Sequence, residues 1–90
     1  MSGRKLIPSK AFEKAWARLG IEQRKAAERA MSRFLENPSH PGLNFERMQG
    51  RPGFWSIRTN KGFRIILKET DDPSTFMLAD VGKHDIYRRL

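Results

Sequence analysis

The residues of this sequence that are best suited to chemistry lie in its second half. They are Glu46, Arg58, Arg64, Lys83, His84 and Tyr87. RNA can be cleaved by its own 2′-hydroxyl when a base removes the hydroxyl proton, an acid protonates the leaving 5′-oxygen and cations hold the developing negative charge. The set contains groups suited to each task, so it indicates a reaction on a phosphate backbone.

The roles within this set stay partly open. Glu46 or His84 could serve as the base, and His84 or Tyr87 could donate a proton or orient the phosphate. Arg58 and Arg64 supply guanidinium donors that match phosphate oxygens in geometry and charge. This chemistry requires no metal and no cofactor, and the sequence contains no convincing cluster of metal ligands.

Each candidate also has a purely structural interpretation. Glu46 could be a solvent-facing strand residue or the partner of a nearby arginine, and Arg64 could pair with Asp80. His84 could belong to a surface turn, and Tyr87 to the edge of the core. Taken alone the residue types are a weak signal, because any basic domain of this size contains similar residues.

Basic residues are abundant along the whole chain. Eighteen Lys and Arg residues against ten Asp and Glu give a net charge of +8. This excess favours a polyanionic partner such as nucleic acid, the ribosome or an acidic protein, with solubility alone as the plainer explanation. The candidates for contact with an RNA backbone are Arg58, Lys61, Lys83 and Arg88.

The first half of the sequence predicts two helices. Pro8 and Ser9 suit the start of the first helix, and Gly20 suits its end. The second helix is expected over residues 21–36, ending at Asn37-Pro38. The apolar stripes are Phe12, Ala15, Trp16 and Leu19 in the first helix and Ala27, Ala30, Met31, Phe34 and Leu35 in the second. Because the link is short, we expect an antiparallel helical hairpin.

The second half predicts short strands. These are residues 54–58, 63–68 and 76–81, with a further short strand between Leu43 and Met48. Asn60-Lys61-Gly62 and the run 71–74 are turn sequences between them. Trp55 should lie on one face of its strand, directed to the core or able to stack on a base, and Ser56 and Arg58 on the other.

These elements together predict an α+β fold in which an N-terminal helical hairpin packs on a small antiparallel sheet. The length of 90 residues allows one modest core, so residues 1–90 are expected to form a single domain. The chain has no cysteine, which excludes disulfides and thiolate catalysis. It has no apolar run of about 18 residues and no apolar leader, so we expect a cytoplasmic protein that does not associate with a membrane.

The order of motifs resembles a known family. Two helices are followed by G-F-W-S-I-R, then G-F-R-I-I-L, then V-G-K-H-D-I-Y. This order is similar to that of the RelE/ParE superfamily of bacterial toxins, over roughly residues 8–87 and most clearly over 43–87. Members of the RelE and YoeB type cut mRNA in the ribosomal A site without a metal, using basic residues on one face of the sheet.

The resemblance implies specific roles for several positions. The YoeB-like pattern of a glutamate before the turn, an arginine in the central strand and a C-terminal histidine and tyrosine falls on Glu46, Arg64, His84 and Tyr87. Arg58 matches a basic position in the W-S-x-R strand, and Lys83 stands where RelE-like chains carry basic residues. Three departures are a serine at position 56, where RelE has a cation, the insertion of Asp85-Ile86 between the histidine and the tyrosine, and an N-terminal strand reduced to Lys5-Leu6-Ile7.

The implied function is that of a toxin in a type II toxin–antitoxin system, a metal-independent mRNA endoribonuclease that acts on the ribosome. Its expected partners are a cognate antitoxin, the ribosome and mRNA, while the oligomeric state stays open. One alternative is a ParE-like toxin that binds DNA gyrase, although Glu46 and His84 count mildly against it. Another is a non-catalytic basic module that binds nucleic acid.

Overall fold

A computed structural model of the chain describes residues 3–60, 62–83 and 86. In chain order the elements are β1 (Lys5–Pro8), α1 (Lys10–Ala17), α2 (Ile21–Glu36), a short 3₁₀ turn (Pro41–Leu43), β2 (Glu46–Arg47), β3 (Phe54–Asn60), β4 (Phe63–Glu69) and β5 (Thr75–Lys83). The strands form one sheet in the order β1-β5-β4-β3-β2. The predicted α+β class is confirmed.

The start of α1 follows the prediction in one respect and departs from it in another. Ser9 is the N-cap, and its hydroxyl accepts a hydrogen bond from the Phe12 backbone N–H at 3.1 Å. Pro8 is the last residue of β1 rather than an early helical residue. Gly20 does not end α1, which is capped by Arg18; it precedes α2 as its N-cap. The boundaries of α1 therefore shift by about two residues, whereas α2 spans the predicted residues 21–36.

The sheet is mixed rather than wholly antiparallel. The strands β2 to β5 pair antiparallel, as the sequence predicts. The N-terminal β1 pairs parallel with β5, bringing Leu6 opposite Phe76 and Ile7 opposite Met77. A parallel partner 70 residues away leaves no local sequence signal, because it needs no turn between the two strands. The family resemblance indicates a short N-terminal strand at Lys5-Leu6-Ile7, which β1 contains, but the residues themselves do not predict its pairing with β5.

The main core lies between the helices and one face of the sheet. Helix α1 packs on β5, and α2 packs on β3. Phe34 of α2 is 1% exposed and meets the rings of Phe45 and Phe76 edge-on, at centroid distances of 5.0 and 5.6 Å. Ile57 of β3 is fully buried under the same layer. The predicted apolar stripes of both helices thus supply the core.

A second apolar cluster covers part of the opposite face of the sheet. Met48, Ile66 and Ile86 are buried there, and Phe54 and Ala79 pack against them. As a result Ile66, which alternates with the core residues of β4, is as completely buried as they are. We call this side of the sheet the cation face, because its exposed part carries Arg58, Arg64 and Lys68.

The segment before β3 is less regular than predicted. Instead of one strand over residues 43–48, it contains the 3₁₀ turn, a left-handed residue at Asn44 (φ 48°) and the two-residue β2. Leu43 is buried in the main core. The left-handed residue between Leu43 and β2 breaks the two-residue alternation that a continuous strand would need. Glu46 is left on the edge strand of the sheet.

The turn between β4 and β5 is organised by Asp72. Its carboxylate accepts hydrogen bonds from the Ser74 backbone N–H at 2.9 Å, the Ser74 hydroxyl at 2.8 Å and the Thr75 hydroxyl at 3.0 Å. These donors, with the Ser74 backbone first, favour the charged form and lower the pKa of Asp72 below its ordinary value of 3.8.

Replacing Asp72 by alanine is expected to lower Tm at pH 7, because three hydrogen bonds are lost. Since its pKa is lower in the folded state than in the unfolded state, its ionisation stabilises the fold fully above pH 3.8 and ceases to do so as the pH falls through the folded-state pKa. Thermal unfolding of both proteins between pH 7 and pH 2 should show the Tm difference shrinking in acid. Asp71→Ala, a neighbouring exposed carboxylate, is the control. A pH-independent difference would contradict this assignment.

Candidate functional site

The structure brings Glu46 and Arg64 together on the cation face. Glu46 lies on β2 and Arg64 on β4, two strands away, and Glu46 Oε1 is 4.0 Å from Arg64 Nη1. The Glu46 side chain is 55% exposed and the Arg64 side chain 23% exposed. Because the Glu46 carboxylate is exposed, it can contact a ligand while it stays hydrated. The Arg64 guanidinium beside it is largely buried.

Arg58 and Arg64 face each other across adjacent strands. The register of β3 and β4 makes them a direct cross-strand pair, and Gly82 of β5 lies on the other side of Arg64. Like charges directly opposite one another are destabilising, since their Cβ atoms lie about 5 Å apart. The register places two arginines side by side on this face, and guanidinium groups match phosphate oxygens in geometry and charge.

The guanidinium of Arg64 has unused hydrogen-bonding capacity. Its Nη1 is buried and makes no hydrogen bond with any residue in the described ranges. The 4.0 Å to Glu46 Oε1 is an electrostatic contact rather than a hydrogen bond. An oxyanion that reached Arg64 Nη1 would meet a charged donor, although this buried atom becomes accessible only if neighbouring side chains move.

An open groove of about 370 Å³ borders these residues on the β2 side. It is lined by Glu46, Arg47, Met48, Gln49, Arg51 and Ser56. Gly50 and Gly53, with φ of 72° and 84°, allow the turn after β2 to fold back over this side of the sheet. Gln49 and Arg51 are not among the site residues that the sequence predicts. Their only signal was the glycine-rich turn that follows Glu46.

The other predicted site residues divide into two groups. Lys83 is exposed at the end of β5, where it pairs with Phe63. Since Phe63 alternates with Arg64, this register assigns Lys83 to the helix side of the sheet and not to the cation face. Lys61, His84, Tyr87 and Arg88 lie outside the described residues.

Trp55 is engaged within the protein. Its ring stacks on Phe45 with centroids 4.6 Å apart, and the Arg47 guanidinium carbon lies 5.0 Å from the ring centroid. Its Nε1 donates a hydrogen bond to Glu69 Oε2 at 2.7 Å. These contacts agree with the predicted core position and give Arg47 a structural role at the rim of the groove.

No three histidine, aspartate or glutamate side chains in the described ranges are grouped as metal ligands would be. No helix in the same part of the chain is long and apolar enough to cross a membrane.

Comparison of the sequence with protein families and with curated proteins gave no match. Solved structures do match. A free mutant form of the Escherichia coli toxin RelE has a TM-score of 0.72 and 21% identity, covering 94% of this chain and 87% of that chain. The RelB–RelE antitoxin–toxin complex of Methanococcus jannaschii gives 0.70 and 17%, with 93% and 98% covered. The YoeB dimer of Staphylococcus aureus gives 0.71 and 14%, with 90% and 97% covered.

These neighbours define the class of fold, that of small α+β toxins from toxin–antitoxin systems. Within that class it is the fold of the RelE/ParE superfamily, and the resemblance seen in the sequence is confirmed at this level. The structural neighbours cover nearly the whole chain, including the helices, where the sequence motifs are weakest. Identities of 14–21% are evidence for the fold alone.

The arginine pair generates a stability prediction. Arg58→Ala should stabilise the protein at low salt by about 0.2–1 kcal/mol, because it removes a like charge directly opposite Arg64. The gain should shrink in 1 M NaCl, where charges are screened over about 3 Å. Arg47→Ala removes the same charge from an arginine that contacts Trp55, and it should lower Tm. Thermal unfolding at both salt concentrations tests this, and loss of stability in both variants would contradict it.

Proposed function

We propose that this protein is the toxin of a type II toxin–antitoxin system and that it cleaves mRNA on the ribosome. The observation that carries the proposal is the arrangement on the cation face. Arg58 and Arg64 are directly paired there, and the Glu46 carboxylate lies 4.0 Å from Arg64. Attack by a 2′-hydroxyl requires a base and cations, and here a carboxylate lies beside one guanidinium with a second arginine on the adjacent strand.

In this proposal Glu46 is the general base that takes the proton of the 2′-hydroxyl. Arg64, assisted by Arg58, binds the phosphate and stabilises the negative charge that develops on it. His84 then protonates the leaving 5′-oxygen, and Tyr87 orients or stacks on the substrate. These two roles come from the family resemblance, since both residues lie outside the described part of the chain.

The positive charge of the chain indicates the partners that it would bind. A net charge of +8 on 90 residues favours association with ribosomal and messenger RNA, with Lys61 and Arg88 as further backbone contacts and Lys83 as a contact on the helix side, away from the cation face. The same charge suits an acidic antitoxin. In three of these structural neighbours RelE is seen with its antitoxin RelB or a peptide of it, and we infer a corresponding partner here.

Expression of the protein should arrest growth and produce new mRNA 5′ ends within codons that ribosomes occupy. Arg64→Ala should lower cleavage about 100- to 1000-fold, because it removes the main charge-stabilising donor. Glu46→Gln should cost about 100-fold or more as the loss of a general base, and His84→Gln should also abolish cleavage. The measurement is mapping of mRNA 5′ ends on isolated ribosomes, with Arg29→Ala on the exposed face of α2 as a charge-matched control.

The same experiment separates the alternatives. Growth arrest with intact mRNA and double-strand DNA breaks would contradict cleavage and indicate a gyrase-directed toxin. Absence of arrest from a folded, expressed protein would indicate a basic module that binds nucleic acid without chemistry. Equal loss of cleavage in Arg29→Ala and Arg64→Ala would show that overall charge, and not the site, accounts for the activity.

A further inference from the structure

Ser56 is a buried hydroxyl on the cation face. The residue is 1% exposed, and its Oγ is buried without a hydrogen bond to any residue that the structure describes. Most buried polar side chains in folded proteins are hydrogen-bonded. A buried hydroxyl without a partner lowers the stability of the folded state, whereas alanine at the same position would not. This exception therefore requires a physical explanation.

The surroundings of Ser56 indicate what its partner is. In the sheet it lies directly opposite Glu46, and Arg64 is its diagonal neighbour through the pairing of Ser56 with Ile66. Diagonal neighbours on one face are separated by about 7–8 Å, within reach of a long side chain. The second buried polar atom without a hydrogen bond among the described residues is Arg64 Nη1. The two unused polar groups therefore belong to neighbouring residues on one face.

Ser56 also lies in the wall of an open groove. It lines the groove of about 370 Å³ that Glu46, Met48 and Gln49 border. Since the residue is only 1% exposed, contact with a ligand requires a small movement of the side chains around it. Glu46 and Gln49 are exposed and can move at little cost, because neither is packed in the core.

We propose that the Ser56 hydroxyl is a substrate contact, which together with Arg64 Nη1 binds a non-bridging oxygen of an RNA phosphate. A phosphate oxygen readily accepts hydrogen bonds from a neutral hydroxyl and from a guanidinium. The substrate completes the two hydrogen bonds that the folded chain leaves unmade. The inference rests on the proposed function, because it assigns a specific contact to the same site.

This contact predicts that stability and binding change in opposite directions. Ser56→Ala should raise Tm by about 4–8 °C, since the unpaired buried hydroxyl is removed. It should weaken binding of a 2′-O-methyl trinucleotide about tenfold, because a hydrogen bond to a charged group is lost. The trinucleotide cannot be cleaved, so binding is measured separately from chemistry, by NMR titration.

Thr75 provides a matched control. It is a buried hydroxyl residue on the same sheet, but its Oγ1 donates a hydrogen bond to Asp72 Oδ2 at 3.0 Å. Thr75→Val keeps the shape and removes the hydroxyl. It should lower Tm, whereas Ser56→Ala should raise it. It should also leave trinucleotide affinity unchanged, whereas Ser56→Ala should weaken it.

The outcomes decide the inference without depending on cleavage. A lower Tm for Ser56→Ala would show that the hydroxyl is satisfied within the chain, and unchanged trinucleotide affinity would show that it does not touch the phosphate. Either result overturns the proposal, as does a wild-type protein that does not bind the trinucleotide. Binding that depends on Ser56 in a protein that cleaves no mRNA would support the contact and contradict only the proposed cleavage.

Discussion

The burial of β4 on both faces is the constraint on which the rest of the sheet depends. Ile65 and Leu67 pack beneath the helices and Ile66 packs in the second cluster, and all three are fully buried. Because side chains alternate along a strand, a slip of one residue would exchange these two environments and bury Arg64 under the helices. Two apolar clusters therefore hold the register that places Arg64 on the cation face, just where the second cluster ends.

The site can contain unfavourable interactions because the two apolar clusters stabilise the rest of the sheet. Two guanidinium groups face each other, and two buried polar atoms lack hydrogen bonds within the described residues. Such local conflicts lower stability, and proteins tend to keep them where binding needs prepared groups. The nearby cluster around Ile66 fixes the pairing of the strands, and with it the backbone positions of the two arginines. The exposed Glu46 on the edge strand is the more adaptable partner.

Much of the fold follows from the sequence, because local rules govern it. The Ser9 cap, both helical stripes and the alternation in β3 and β4 are consequences of spacing and residue type. The pairing of β1 with β5 and the extra residue at Ala79, where the register of β5 shifts, depend on distant partners. For the site, residue types indicated Arg64 and Glu46, but their proximity required the strand order. Ser56 was noticed in the sequence only as a missing cation, since the lack of a hydrogen bond becomes visible only in three dimensions.

The parallel pairing of β1 with β5 has a consequence for how the chain acquires its structure. The Ser9 hydroxyl and the Ala79 carbonyl that it contacts are 70 residues apart, so the first strand has no partner until the last one has been synthesised. Contacts of such high sequence separation slow folding, since a long loop must close before they form. During translation the first strand therefore leaves the ribosome before the strand that will cover its edge. A nascent chain that stops before β5 cannot complete the five-stranded sheet, because β1 then has no strand to pair with.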